Sequence, residues 1–192
     1  MKQTINTKRL TMMAIATAIL LIQNFVPFLG NLPLPPLNPT IIHITVIVFT
    51  FLLGTRDGMI IGAIWGIIRM IRAFAMPASP LDPLIWTNPM IAVLPRLLIG
   101  LTVGVTYQWL RKKWPSAHSL RISAFLGSLT NTVFVMLFIY VFFTEDIAYL
   151  MNIQMDNIVY GLLAIVVTSG IPEAIIAAII APIVVKPLKK IY

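Results

Sequence analysis

Six long stretches of this sequence are almost wholly apolar, and together they leave too little polar surface for a water-soluble globule. They run over Leu10–Phe28, Thr40–Gly54, Gly58–Ala75, Asn88–Leu110, Leu120–Phe143 and Asn157–Val185. A helix that crosses a bilayer needs about 20 mostly apolar residues, within a range of about 17–25. The second stretch is short by that measure, and the sixth is long enough to be tilted or broken. Only 10% of the 192 residues are charged, where a soluble domain carries about 25%. The mean hydropathy is +0.94. The outer surface must therefore face lipid. The expected fold is an all-α integral membrane protein with six transmembrane helices, forming a single membrane domain over residues 1–192.

The placement of charge gives a direction to these spans. Lys and Arg accumulate in cytoplasmic loops. Lys2, Lys8 and Arg9 precede the first span, and Arg56 sits in the expected turn Gly54–Gly58 after the second. Arg111, Lys112, Lys113 and Arg121 flank the loop after the fourth, and Lys186, Lys189 and Lys190 follow the sixth. Segments 29–39, 76–87 and 144–156 have no Lys or Arg and carry Asp82, Glu145, Asp146 and Asp156. Both termini are thus expected in the cytoplasm, with the three long loops outside. The net charge of +8 reads as a topology signal, not as a nucleic-acid surface. The opening MKQTINTKRL resembles the start of a signal peptide, but the apolar run behind it is too long for one. It is read as the first membrane helix. Two outer segments, 29–39 and 76–87, are rich in proline, which fixes φ and removes backbone donors, so the first cannot be helical.

Small residues recur at spacings that suit close helix packing in lipid: Gly58, Gly62 and Gly66; Gly100 and Gly104; Ala174 and Ala178; Ala14 and Ala18. No internal repeat is visible, so an inverted-repeat carrier is not indicated.

Ionisable residues at membrane depth are costly and are functional candidates by default. Arg69 and Arg72 lie toward the outer end of the third span. They share a helical stripe with Gly58, Gly62 and Trp65 that should face protein. Arg96 lies about 12 Å into the fourth span at about 1.5 Å per residue, and Glu173 is near the middle of the sixth. Three arginines against one glutamate leave positive charge over. One reading pairs Arg96 with Glu173 and lets Arg69 and Arg72 snorkel outward or meet Asp82. The other gives Arg96 a carboxylate on a solute, which a guanidinium can hold through two parallel donors. Asn131, His43 and Tyr140 fall at similar depth. In Thr168-Ser169-Gly170-Ile171-Pro172-Glu173, glycine and proline could break the sixth helix and start a half-helix at Pro172. The expected site is an outer pocket lined by Arg96, Asn131, Arg69, Arg72, His43, Trp65, Tyr140 and Glu173.

Several chemistries have no residues to carry them. The chain has no cysteine, no P-loop, and neither HExxH nor GxSxG. His43 and His118 fall on opposite sides of the predicted membrane, so no metal site and no cofactor are expected. An enzyme is not the expected reading.

The assembled features resemble the S component of an energy-coupling factor (ECF) vitamin transporter. The residues that carry the likeness are Ile42-His43-Ile44-Thr45-Val46 through Leu53-Gly54, Gly62 with Trp65-Gly66, Pro95-Arg96 with Gly100 and Gly104, Gly127 to Thr132, and Pro172-Glu173-Ala174. The pantothenate branch of the family is the most similar. The likeness implies capture of a vitamin on the outer side, followed by toppling in the membrane driven by a shared coupling subunit and two ABC-type ATPases. It also implies that Ala14 and Ala18 match the Ala-x-x-x-Ala element by which helix 1 docks on the coupling subunit. Pantothenate, an anion with hydroxyl and amide groups, suits the arginine excess and Asn131. Folate is anionic but larger, and pyridoxine and hydroxymethylpyrimidine are neutral and give Arg96 no partner. A stand-alone secondary carrier would need ionisable residues in the inner half, where none lie apart from the helix ends.

Overall fold

The computed structural model describes residues 7–26, 29–30, 40–77, 81–151, 154 and 157–191. Most of the proline-rich segment 29–39 and of segment 152–156 falls outside them. The helices are α1 (Thr7–Phe25), α2 (Ile42–Leu53), α3 (Thr55–Ala75), α4 (Leu81–Ile85), α5 (Pro89–Ala92), α6 (Leu94–Leu110), α7 (Ser116–Met151), α8 (Ile158–Ile165) and α9 (Ile171–Ile191). Residues 166–170, between α8 and α9, form one π-helical turn.

The shortest expected span becomes the centre of the bundle. Helix α2 has 12 residues, and nine of them are buried. It packs against α1, α3, α6, α7 and α9. A helix surrounded by protein need not match the thickness of the hydrocarbon core, which explains its length. The five-residue turn expected after it shrinks to one residue. Gly54 has φ 97°, a conformation that glycine adopts without strain, and α3 begins at Thr55. Asp57, expected in that turn, sits in the first turn of α3, where an anion favours the helix N-terminus. It is buried and forms a two-pronged ion pair with Arg9 of α1, including Arg9 Nε to Asp57 Oδ2 at 2.6 Å.

Glycine sets the contact between α3 and the α5–α6 rod. A Cβ on Gly62 would strike the backbone of Arg96 and Leu97, and one on Gly66 would strike Ala92 and Val93. A Cβ on Gly100 would strike Gly58 and Met59, and one on Gly104 would strike Thr55. The steps of four from Gly58 to Gly62 to Gly66 along α3 match steps of four in the opposite direction, from Gly100 to Arg96 to Ala92. The two backbones therefore run antiparallel in one register and touch wherever a side chain is missing.

Three expected spans are irregular. The fourth divides at Val93, with Asn88 accepting a hydrogen bond from Met90 N at 2.9 Å to cap α5. The fifth was expected to end at Phe143. Phe143 does break the helix (φ −136°, ψ 25°), but the chain resumes helix to Met151 in place of a loop. Glu145 and Asp146 open this second piece, as acidic residues favour. The sixth does not break into half-helices at Pro172. The π turn over 166–170 widens the helix just ahead of it, and α9 starts directly at Ile171.

Among the described residues, four segments are each long and apolar enough to cross a membrane: Thr55–Ala75, Pro89–Leu110, Ser116–Asp146 and Ile158–Lys190. Together they make a multi-pass membrane protein. Helix α1 falls short in apolarity and α2 in length. Two apolar clusters fill the bundle. One joins Ala16, Leu20, most of α2, Trp65, Ile99, Val103, Ala124, Ala177 and Ala181. The other joins Ile85, Ile91, Val135, Ile139, Ile158 and Leu162.

Candidate functional site

A polar layer separates those two clusters. On α6, Arg96 falls between Ile91 of one and Ile99 of the other. On α7, Asn131 falls between Ala124 and Val135, and Glu173 falls between Leu162 and Ala177. Three helices thus place a buried or half-buried polar side chain at one depth. Across the antiparallel α6–α7 pair, Gly127 faces Val103 and Ile99. Asn131, one turn further along α7, therefore comes within about a turn of Arg96.

Arg96 is the centre of this layer. It is 4% exposed. Its Nη1 donates to the carbonyl of Ile91 at 2.5 Å. Ile91 lies four residues before Pro95, which has no N–H, so the helix cannot use that carbonyl itself. The arginine side chain takes the acceptor that proline leaves free. The rings of Trp65 and Trp86 flank the guanidinium, with centroids 5.1 and 4.7 Å from Cζ. Its Nε is buried and has no hydrogen-bond partner. Of the two readings, the one that pairs Arg96 with Glu173 is not adopted. Glu173 Oε1 instead accepts from Thr40 N at 2.9 Å, at the entrance to α2. A backbone donor just ahead of a helix holds a carboxylate well, and Thr40 reinforces the entrance by accepting from Ile42 N at 3.2 Å.

Arg69 meets Asp82, with Nη2 to Oδ1 at 3.0 Å, and its guanidinium also lies over Trp86 at 4.9 Å. The reading that paired it with a loop acid is the one the structure adopts. Arg72 is half-buried one turn further out on α3. His43 is 1% exposed, and neither ring nitrogen has a hydrogen-bond partner. Asn131 is 6% exposed with Oδ1 likewise unpartnered, and so is the indole nitrogen of buried Trp65. Tyr140 is not brought to this layer: it is 44% exposed, on the outer face of α7. Ala14 and Ala18 are exposed, whereas Ala16 between them is fully buried, so the pair lies on the outward face of α1. No group of three or more His, Asp or Glu side chains that could hold a metal occurs among the described residues.

Sequence reasoning missed Trp86 and Asp82 as parts of the site. Trp86 is the sole aromatic residue and Asp82 the sole acid of segment 76–87, which was the available signal. The sequence places that segment over the outer pocket as a proline-rich loop with its aromatic, without naming either residue as part of the site. Residues 81–85 fold into α4, which buries Asp82, and Trp86 directly after it lies over both arginines.

Residues 8–185 match the family described as "ECF transporter, substrate-specific component". The chain belongs to that family. Its residues make up a transport subunit, not an enzyme. The S component is 36% identical over 182 residues to the "Pantothenate transporter PanT" of Leuconostoc mesenteroides subsp. mesenteroides, covering 91% of this chain and 88% of the relative. It is 31% identical over 191 residues to the "Pantothenic acid transporter PanT" of Lactococcus lactis subsp. cremoris, covering 93% and 92%. Its fold is similar to that of the S component for biotin from an ECF-type ABC transporter, with TM-score 0.63, 18% identity and coverage of 99% and 95%. A second solved S component of a bacterial ECF transporter gives TM-score 0.54 at 20% identity, covering 96% and 94%.

Proposed function

We propose that this S component binds pantothenate in the polar layer around Arg96 and hands it inward with the help of partner subunits. The observation that carries the reading is Arg96 itself. It is a buried guanidinium with Nε unpartnered and, among the described residues, no carboxylate within ion-pairing distance. A charge in that setting is stabilised when an anion completes it, and leaving it unpaired is costly. The names of the two relatives supply an anion of suitable size. Asn131, Trp65 and His43 offer hydrogen-bonding groups for the hydroxyls and amide, and Arg69 and Arg72 raise the local positive potential. Glu173 acts by holding the entrance to α2 in place.

In this reading the chain is one six-helix domain over residues 1–192, with α1 and α2 as the two further spans. Both termini are cytoplasmic, and the protein resides in the cytoplasmic membrane. Arg9–Asp57, Tyr107–Lys189 and Thr55–Gln108 all lie at one end of the bundle, where α1 begins and α9 ends. That end is the cytoplasmic one. A shared transmembrane coupling subunit and two ABC-type ATPases supply the energy, and α1 docks through its outward Ala14 and Ala18. The test is retention of pantothenate by the purified chain, read by native mass spectrometry. Retention of a different vitamin would replace the ligand and leave the transport role standing.

A further inference from the structure

The surroundings of Arg96 restrict which anions it can hold. Guanidinium donors lie in one plane, and here two indole rings crowd the group. Cζ of Arg96 lies over the rings of Trp65 and Trp86 at about 5 Å, so a ligand cannot reach the guanidinium from those two sides without displacing an indole. Within the plane, Nη1 is already committed to the Ile91 carbonyl. The edge carrying Nε is left, and Nε is the buried atom without an acceptor. That edge offers two parallel N–H groups, the arrangement that grips a carboxylate bidentately.

Trp86 does not stand alone. It also lies over Arg69, which Asp82 holds through an ion pair. Trp86 directly follows α4 and its N–H donates to the Asp82 carbonyl at 3.0 Å, so the Arg69–Asp82 pair fixes where the Trp86 ring sits. Asp82 is 5% exposed, and a charge-assisted hydrogen bond at that burial is strong enough to locate a short helix.

We infer that Trp65 and Trp86 are specificity-determining residues: they form an aromatic slot that admits a planar carboxylate to the Nε edge of Arg96 and rejects tetrahedral anions of equal charge. A sulfonate placed at the same edge projects a third oxygen out of the guanidinium plane toward an indole. The oxygen loses its hydration there without gaining a donor. The inference rests on the reading of pantothenate as ligand, and it adds Trp86 and Asp82 to the residues that shape the site.

The experiment compares pantothenate with the analogue in which its carboxylate is replaced by sulfonate, both titrated calorimetrically into purified protein. The wild type is expected to prefer the carboxylate by at least about tenfold, a difference well within what one misplaced polar group costs. Trp86→Leu removes the ring and should narrow the preference to less than about threefold, while Trp86→Phe keeps an aromatic face and should retain most of it. Should Trp86→Leu fail to give a monodisperse protein, Asp82→Asn loosens the seat of the ring and should narrow the preference in the same direction. Equal affinity of the wild type for both anions, or a preference that survives intact in Trp86→Leu or Asp82→Asn, overturns the slot while leaving pantothenate as ligand. Failure of the wild type to bind pantothenate overturns the ligand and the slot together.

Discussion

Arg96 donates to the carbonyl of Ile91, five residues earlier, across the break between α5 and α6. The bond depends on Pro95, because any other residue there could bring a backbone N–H to the same carbonyl. Pro95→Ala should restore that backbone bond, displace Nη1 and let the guanidinium leave its place beside Trp65. The expected result is pantothenate affinity lower by about three- to tenfold, with thermal stability in detergent unchanged or raised. Full affinity in Pro95→Ala would mean that the Ile91 contact does not position Arg96.

The glycine register makes a structural prediction. Gly62 and Gly100 sit against backbone, which cannot rotate away as a flexible side chain can. Overpacking a tight interior costs about 1–3 kcal/mol. Gly100→Ala should therefore lower the melting temperature of the purified protein. Gly62→Ala should do the same and also weaken ligand binding, because the backbone it presses on belongs to Arg96. Wild-type melting behaviour in both variants would contradict the register.

Sidedness can be read with single cysteines, since the chain has none of its own. Ser116, which opens α7, and Gln154, beyond its far end in sequence, are both exposed. A cysteine at 154 should react with an impermeant maleimide in intact cells, and one at 116 only after permeabilisation. The reverse pattern would invert the topology drawn from the positive charges.

The outward face of α1 separates capture from energy coupling. Ala14→Trp with Ala18→Trp alters two exposed positions away from Arg96. Pantothenate affinity of the isolated double variant should match wild type, while co-purification with the coupling subunit and ATPases should be lost. Close backbone approach at small residues is what such a contact requires. Lost affinity with retained assembly would rule out a docking role.

The bundle was legible in the sequence wherever apolar length or small-residue spacing dictated it. The segments around α3, α6 and α7, and the depth of Arg96, follow from those patterns. Departures came where local backbone chemistry decides. Gly54 reverses the chain alone, and a π turn absorbs Pro172 without a break. Phe143 kinks a helix that then continues to Met151. None of these leaves a periodic signature. The site was half legible for a related reason. Arg96, Asn131 and Glu173 announce themselves as polar residues in apolar runs, and Arg69 was one of two arginines weighed against Asp82. The partners of Arg96 and Glu173 were not deducible, because Trp86 is set by a short helix just before it within a proline-rich segment. The Thr40 amide that holds Glu173 is a backbone group, invisible to side-chain pairing.

The central claim is that Arg96 receives the carboxylate of pantothenate. The direct measurement is calorimetric titration of pantothenate into wild type and Arg96→Gln, each confirmed as a single folded species by gel filtration. A hydrogen bond to a charged group contributes about 1.5–3 kcal/mol. The wild type should therefore bind, with a loss of at least about tenfold in Arg96→Gln, a factor that corresponds to about 1.4 kcal/mol. Equal affinity in the two proteins would contradict it and remove Arg96 from the site.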